Sequence, residues 1–365
     1  MSFLKKLFGS KKEEQNSISY ADFWQWFLQH EKAFYKAVKE REHIERDFFD
    51  KLSPKLEQLH KGYYFVTGMC DEHTAELVFT AEGKVSHIVY IEDLVSSAPA
   101  IPGWKFTALK PSLDITDVAI KMAGHEFSKD NISFYSNEHA AYPDQIDITI
   151  VHNDYSESTK NEIVNGTYIF LDNVLGELNF ASLIDNLSFV SPSEAAKELI
   201  PISKLNDFLI WREKEFIEKY EGSWYSTETN NYSLMEAKAE NGNPMIAIIN
   251  TDLLKWDAKA SHPWMLTVEI TYDGASNNGM PDKATSDILN TIEDDILNYL
   301  KDADGYLNIG RQTFNNTREI YFACKEFRKP SRVMTDMVNT YSGKADLNYD
   351  IYKDKYWMSF NRFQA

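Results

Sequence analysis

Trp264-Met265-Leu266-Thr267-Val268-Glu269-Ile270-Thr271-Tyr272 is the stretch on which the reading of this chain turns. Trp264, Leu266, Val268, Ile270 and Tyr272 alternate with Met265, Thr267, Glu269 and Thr271. A period of two places one set on one face of a strand and the other set opposite. Downstream, Asp273–Met280 is rich in Gly and Asn and reads as a loop. Pro281 or Asp282 then opens a helix whose apolar stripe is Ile288, Leu289, Ile292, Ile296, Leu297 and Leu300. Strands at Tyr306–Thr313 and Glu319–Lys325 flank a hairpin turn at Asn315-Asn316. A helix over Ser331–Tyr341 carries Val333, Met334, Met337 and Val338, with Gly343 as its stop, and Leu347, Tyr349 and Ile351 alternate as a last strand. From Trp264 to Ile351 the order is β-α-β-β-α-β, the ferredoxin-like order, in which two helices cover one face of an antiparallel sheet.

Working back from this stretch, a hairpin joins about Trp224–Ala239 to Met245–Asn250 through Asn241-Gly242-Asn243. A helix spans about Ile202–Tyr220, and Ser193 caps a short helix at Glu194–Leu199. Further back, one long helix is expected over Tyr20–His60, capped by Ser19 or Asp22, interrupted at Pro54, and marked by Phe23, Phe27, Phe34, Val38, Ile44, Phe48 and Leu52 at helical spacing. Tyr63–Met69, Glu76–Thr80 and Val85–Ile91 read as a three-stranded meander, followed by a strand at Trp104–Leu109. Further strands are expected at Val118–Met122, Ile132–Tyr135 and Ile146–Val151, then a helix at Ser158–Leu175 and a strand or two in Leu178–Val190. The expected class is α+β, with antiparallel sheets packed against helices in two domains. The segments are a flexible leader at 1–19, an N-terminal α+β domain at 20–192 and a C-terminal ferredoxin-like domain at 200–365, joined between Pro192 and Pro201.

The charge narrows the classes of partner. Fifty-six acidic side chains against 38 basic ones give a net charge of −18, a surface that repels phosphate backbones and steers a basic protein toward it. Direct nucleic-acid binding is not expected. The two cysteines, Cys70 and Cys324, are far apart and in no C-x-x-C pair, which suits a reduced, cytoplasmic setting. No apolar run is long enough to span a bilayer. Phe3, Leu4, Leu7 and Phe8 could form an amphipathic turn for peripheral membrane contact, or belong to an unstructured leader.

A search for chemistry finds little. No phosphate-cradling glycine motif and no G-x-S-x-G occurs, and no histidine pair has metal-ligand spacing. Cys70-Asp-Glu-His73 is the densest run of metal-ligand types, but it falls in a turn where polar residues are expected anyway. Asp302-Ala-Asp304-Gly305 resembles the start of a calcium loop, but its glycine comes too early. Asp273–Gly279 precedes a helix and is read as a flexible connection. Cys324, in mid-strand, reads as an inert buried thiol. Trp256 and His262-Pro-Trp264 lie near a loop and are candidates for an exposed binding set. No cofactor is indicated.

Glu92-Asp-Leu-Val-Ser-Ser-Ala-Pro-Ala-Ile-Pro-Gly-Trp-Lys-Phe106, Trp224-Tyr225, Pro244–Asn250, Ile309-Gly310 with Thr313, and Arg318-Glu-Ile-Tyr-Phe322 together resemble bacterial proteins of the uncharacterised domain of unknown function 695 family. The resemblance implies a bacterial cytoplasmic setting but no mechanism. The ferredoxin-like ending is similar, by fold analogy only, to protein regulators that inhibit ribonuclease E. Under this resemblance Gly310, Thr313 and Arg318 are the first places to look for binding, although Gly310 could simply permit a bulge and Arg318 simply pair with a carboxylate. The function expected from the sequence is non-enzymatic protein binding or regulation, inhibitor-like or immunity-like. The alternative is an enzyme of hydrolytic type with its site in an inter-domain cleft.

Overall fold

The computed structural model describes residues 18–364, so positions 1–17 of the leader, with Phe3, Leu4, Leu7 and Phe8, lie outside the described residues. The chain divides into two compact units, Met1–Gly83 with Tyr90–Lys110, and Lys84–Val89 with Pro111–Ala365.

In the first unit, α1 (Tyr20–Glu40) begins at a capping box between Ser19 and Asp22 and ends at Arg41 in the left-handed region, φ 59°. A π-helical turn (Glu45–Phe49) and α2 (Asp50–Leu59) follow. The expected long helix is therefore two, and the break falls at Arg41 instead of Pro54, which sits within α2. Strands β1 (Tyr64–Met69) and β2 (Ala75–Thr80) pair antiparallel.

The next segment corrects the expected meander. Residues 85–91 belong to a helix, α3 (Val85–Ser96), and β3 (Trp104–Ala108) returns parallel to β2. A parallel pair needs a crossover, and a helix supplies it. The apolar run Val85–Ile91 fits either period, but Leu94 and Val95 continue it at helical spacing beyond the length of a short strand. Phe23, Phe27 and Phe34 of α1 pack with Phe48, Phe79 and Trp104 in an aromatic core of edge-to-face contacts.

The second unit holds two larger sheets. Short strands β4 (Ile120–Met122) and β5 (His125–Phe127) form a ribbon. β6 (Ile132–Asn137) and β7 (Asp147–His152) pair antiparallel. Ile146, Ile148 and Ile150 are buried, as their alternation predicts. α4 (Lys160–Leu175) ends at Gly176, and α5 (Glu177–Leu183) occupies part of the stretch expected to be strand, leaving β8 (Asn186–Val190) to pair parallel with β7. Within α4, Gly166 lies against the ring of Phe127, which leaves no room for a Cβ. A single 3₁₀ turn at Pro192–Glu194, capped by Ser191, replaces the helix expected at Glu194–Leu199. β9 (Ile200–Pro201) completes a four-stranded sheet of order β8-β7-β6-β9. Next, α6 (Leu205–Lys219) buries Leu205 and Leu209 in the core shared by Phe134, Ile148 and Phe170. The connector expected at 192–201 thus lies inside this unit.

The remaining strands form a six-stranded sheet: β10 (Tyr232–Lys238), β11 (Pro244–Asn250), β12 (Trp264–Thr271), β13 (Tyr306–Phe314), β14 (Thr317–Cys324) and β15 (Asp346–Lys353). The helices are α7 (Lys283–Tyr299), capped by Asp282, and α8 (Arg328–Thr340). Their order along the chain is β12-α7-β13-β14-α8-β15, and the sheet order is β10-β11-β13-β14-β12-β15, with every neighbouring pair antiparallel. Arg311, Ile320, Val268 and Tyr349 stand in one cross-strand row. Helices α7 and α8 reach that face through Glu293 to Arg311 and Thr335 to Tyr349. On the other face Met265, Leu307, Ile309 and Tyr321 pack under a C-terminal 3₁₀ segment bearing Trp357, Phe360 and Phe363.

Candidate functional site

The residues singled out from the sequence fall into two separate groups on the six-stranded sheet. Gly310 sits at a β-bulge with φ +135°, and a side chain there would collide with the backbone of Ile248 on the neighbouring strand. Thr313 and Arg318 are cross-strand partners at the β13–β14 hairpin, and Arg318 Nε donates to Thr313 Oγ1 at 3.3 Å. Arg318 is only 5% exposed; its Nη1 donates to Asn290 Oδ1 at 2.8 Å and lies 3.8 Å from Glu293 Oε2, the atom that Arg311 reaches at 2.6 Å. Burial lowers the Arg318 pKa from its usual value, and the neighbouring Arg311 adds to the effect. Two arginines thus share one carboxylate beneath α7.

His262 and Trp256 meet at the other end of the sheet. His262 is 2% exposed, its Nδ1 is 2.8 Å from Ser261 Oγ, and its carbonyl accepts from Trp357 Nε1 at 2.9 Å. Burial, with the nearby Lys325 charge, pushes its pKa down to about 4, so the ring is neutral at pH 7. Trp256 packs among Tyr225, His262 and Trp357. The expectation that this pair is exposed is corrected: His262 is buried, and Trp256 is half-buried against the C-terminal Trp357.

The motifs set aside on sequence grounds have structural partners. Asp302 accepts from the amide and hydroxyl of Thr227, and Asp304 pairs with Lys329 at 2.8 Å. Cys70 is exposed and donates to Glu76 at 3.3 Å, while Cys324 is fully buried with its thiol pKa pushed well up by desolvation. Among the described residues no group of three His, Cys, Asp or Glu side chains is placed to hold a metal ion.

What the sequence did not signal is an ionic network joining the four-stranded and six-stranded parts of the second unit. Asp185, just before β8, receives Lys353 at 2.8 Å on one oxygen and Lys355 at 2.8 Å on the other. Lys353 also donates to the carbonyls of Ser182 and Leu183, and Lys355 to that of Asp144. Burial pulls the Lys353 pKa down to about 8 against the attraction of Asp185. The Asp144 carboxylate accepts from Lys219 at 2.8 Å, Tyr220 at 2.8 Å and Tyr356 at 2.6 Å. Burial alone would raise its pKa, but these hydrogen bonds outweigh burial and hold it below the usual carboxylate range.

Beside the network lies a cleft of about 290 Å³ with Phe216, Ile217, Trp264 and Phe327 in its walls. α6, whose Ile217 lines the cleft, exposes Ile210 (50%), Trp211 (52%) and Ile217 (60%). Arg212 and Lys214 on that helix pair with Glu215 and Glu218, and Lys219 pairs with Asp144. Asp207 has no ion-pair partner among the described residues, whereas Glu213 lines the cleft and its charge acts on Lys353.

Residues 235–364 match the model of a family of unknown function (DUF695). The match includes the quoted stretches at Pro244–Asn250, Ile309–Thr313 and Arg318–Phe322, while Glu92–Phe106 and Trp224-Tyr225 lie outside it. No curated protein and no solved structure matches the chain.

Proposed function

We propose that this chain is a non-enzymatic binding protein of the bacterial cytoplasm, inhibitor-like or immunity-like, that engages a basic protein through the outer face of α6. One observation carries this reading: Ile210, Trp211 and Ile217 are at least half exposed on a helix whose other face is anchored in the core by Leu205 and Leu209. Large exposed apolar side chains grouped on a rigid element are the usual anchors of an interface, with tryptophan prominent among them. With the helix's basic residues already paired, Asp207 and the net charge of −18 favour a cationic partner over nucleic acid.

Two further observations support the reading. Residues 264–353 are read as ferredoxin-like, in keeping with the strand order given above. This fold also carries the analogy to protein regulators. Lys353, whose lowered pKa would otherwise nominate it for catalysis, has all three ammonium protons directed at Ser182, Leu183 and Asp185. No helix among the described residues is long and apolar enough to cross a membrane.

Affinity purification of the native chain beside a Trp211→Glu variant tests the proposal. A basic protein recovered with the native chain, lost in the variant and weakened by salt is the expected result. Identical recoveries from both chains would refute it.

A further inference from the structure

The two edges of the six-stranded sheet are finished differently. The β15 edge is tied down, because Lys353 donates to the carbonyls of Ser182 and Leu183. The β10 edge is open. At the turn, Ala239 N–H donates to the Asn243 carbonyl at 2.9 Å, and this contact sets which residues of the β10–β11 hairpin form bonded pairs. By that alternation Ala237, Met235 and Ser233 bond to β11, while the amides and carbonyls of Tyr232, Leu234, Glu236 and Lys238 point away from it. These outward main-chain groups have no partner among the described residues. β10 contains no proline, its register with β11 is unbroken, and its side chains face solvent, Leu234 at 64% and Tyr232 at 44%. An edge of this length with neither bulge nor cover is a template for a further strand.

We propose that this edge is completed by β10 of a second copy of the chain, paired antiparallel about a twofold axis at Met235. The strand is its own complement in that register. Tyr232 faces Lys238 of the second copy and Leu234 faces its Glu236, so every outward residue pairs, with about eight main-chain hydrogen bonds, two to each bonded pair. No like charges stand opposite each other, and each Lys238 comes beside a Tyr232 ring. Sliding by one bonded pair sets Glu236 against Glu236 in one direction and leaves Lys238 without a facing strand residue in the other. Met235, half-buried on the face that carries Trp357 and Phe360, meets its own copy and extends that core across the axis. A contact confined to two seven-residue strands falls below the standard interface of about 800 Å² per partner, so the dimer is a weak one. The charge of −18 on each copy also opposes association, and salt screens that repulsion. None of these residues belongs to α6, so either proposal can fail alone.

Analytical ultracentrifugation of the full chain from about 1 μM to about 500 μM, the range of a weak interface, tests it. A mass rising toward that of a dimer is expected, and the dimer should tighten as salt is raised, opposite to the salt response expected at α6. In the native chain, amide exchange at Leu234 and Glu236 should slow with rising concentration while that at Met235 stays unchanged. Leu234→Pro removes an outward amide that β11 does not use and should return the chain to a monomer. Leu234→Lys should dimerise about tenfold more tightly than Leu234→Glu, since each new side chain faces Glu236 of the second copy. The proposal is overturned by a chain monomeric throughout the range, by a dimer indifferent to Leu234→Pro, by equal dimerisation of Leu234→Lys and Leu234→Glu, or by exchange at Leu234 independent of concentration.

Discussion

The ammonium of Lys353, in the last residue of β15, lies 2.8 Å from the carboxylate of Asp185, the residue that precedes β8. The contact fastens the edge of the six-stranded sheet to the four-stranded one, and Lys355 repeats it on the second oxygen. Neither lysine is more than 12% exposed at its side chain, so the pairing takes place largely out of water.

A pH signature follows from the lowered Lys353 pKa, about 8 in the folded chain. The unfolded chain holds this proton up to its ordinary value near 10.4, so between the two values the unfolded state binds more protons and stability rises with pH. The full swing is about 3 kcal/mol, most of it between pH 8 and ~10. Urea unfolding of the native chain and Lys353→Met from pH 7 to pH 9.5 should show the native chain gaining on the variant. Parallel curves would contradict the assignment.

Asp144→Asn removes the negative charge and one of the two oxygens that accept from Lys219, Tyr220 and Tyr356. The expected loss at pH 7 is about 2 kcal/mol, that of hydrogen bonds to a charged group whose Lys219 partner is half exposed. Because the folded pKa of Asp144 is depressed, its contribution is present above the ordinary carboxylate value and vanishes as pH falls through the folded one. The gap between native and variant midpoints should therefore close below pH ~4.

Gly310→Ala places a methyl group against the Ile248 backbone at a φ that side chains rarely adopt. A loss of about 3 kcal/mol or more is expected in thermal or urea unfolding. A change under about 1 kcal/mol would mean the bulge relaxes.

Trp357→Ala empties a fully buried site that packs on Trp256 and donates to the His262 carbonyl. Destabilisation of about 3–5 kcal/mol is expected. His262, released from burial, should then titrate closer to 6.5 by NMR.

The parts of this fold that were legible in the sequence are those coded locally. The alternation around Val268, the turn at Asn315-Asn316 and the cap at Asp282 each need only a few neighbouring residues, and each stands where expected. Val85–Ile91 was misread because a short apolar run satisfies both periods and its helical continuation lies outside the run. The burial of His262 and the half-burial of Trp256 depend on Trp357, which is 95 residues downstream of His262. The Asp144 and Asp185 network had no local signal at all, since its lysines and tyrosines are ordinary surface residues until the two sheets meet. Likewise, half-exposure of Trp211 becomes visible only once Leu205 and Leu209 fix which side of α6 faces inward.

The binding role of α6 is tested most directly by site-specific photo-crosslinking in cells, with benzoylphenylalanine placed at Trp211 and, as a control, at exposed Lys36. A discrete adduct to a basic protein at position 211, absent at position 36, is the expected result. Adducts at neither position, or the same adducts at both, would contradict the assignment of that helix face as the surface through which the protein acts.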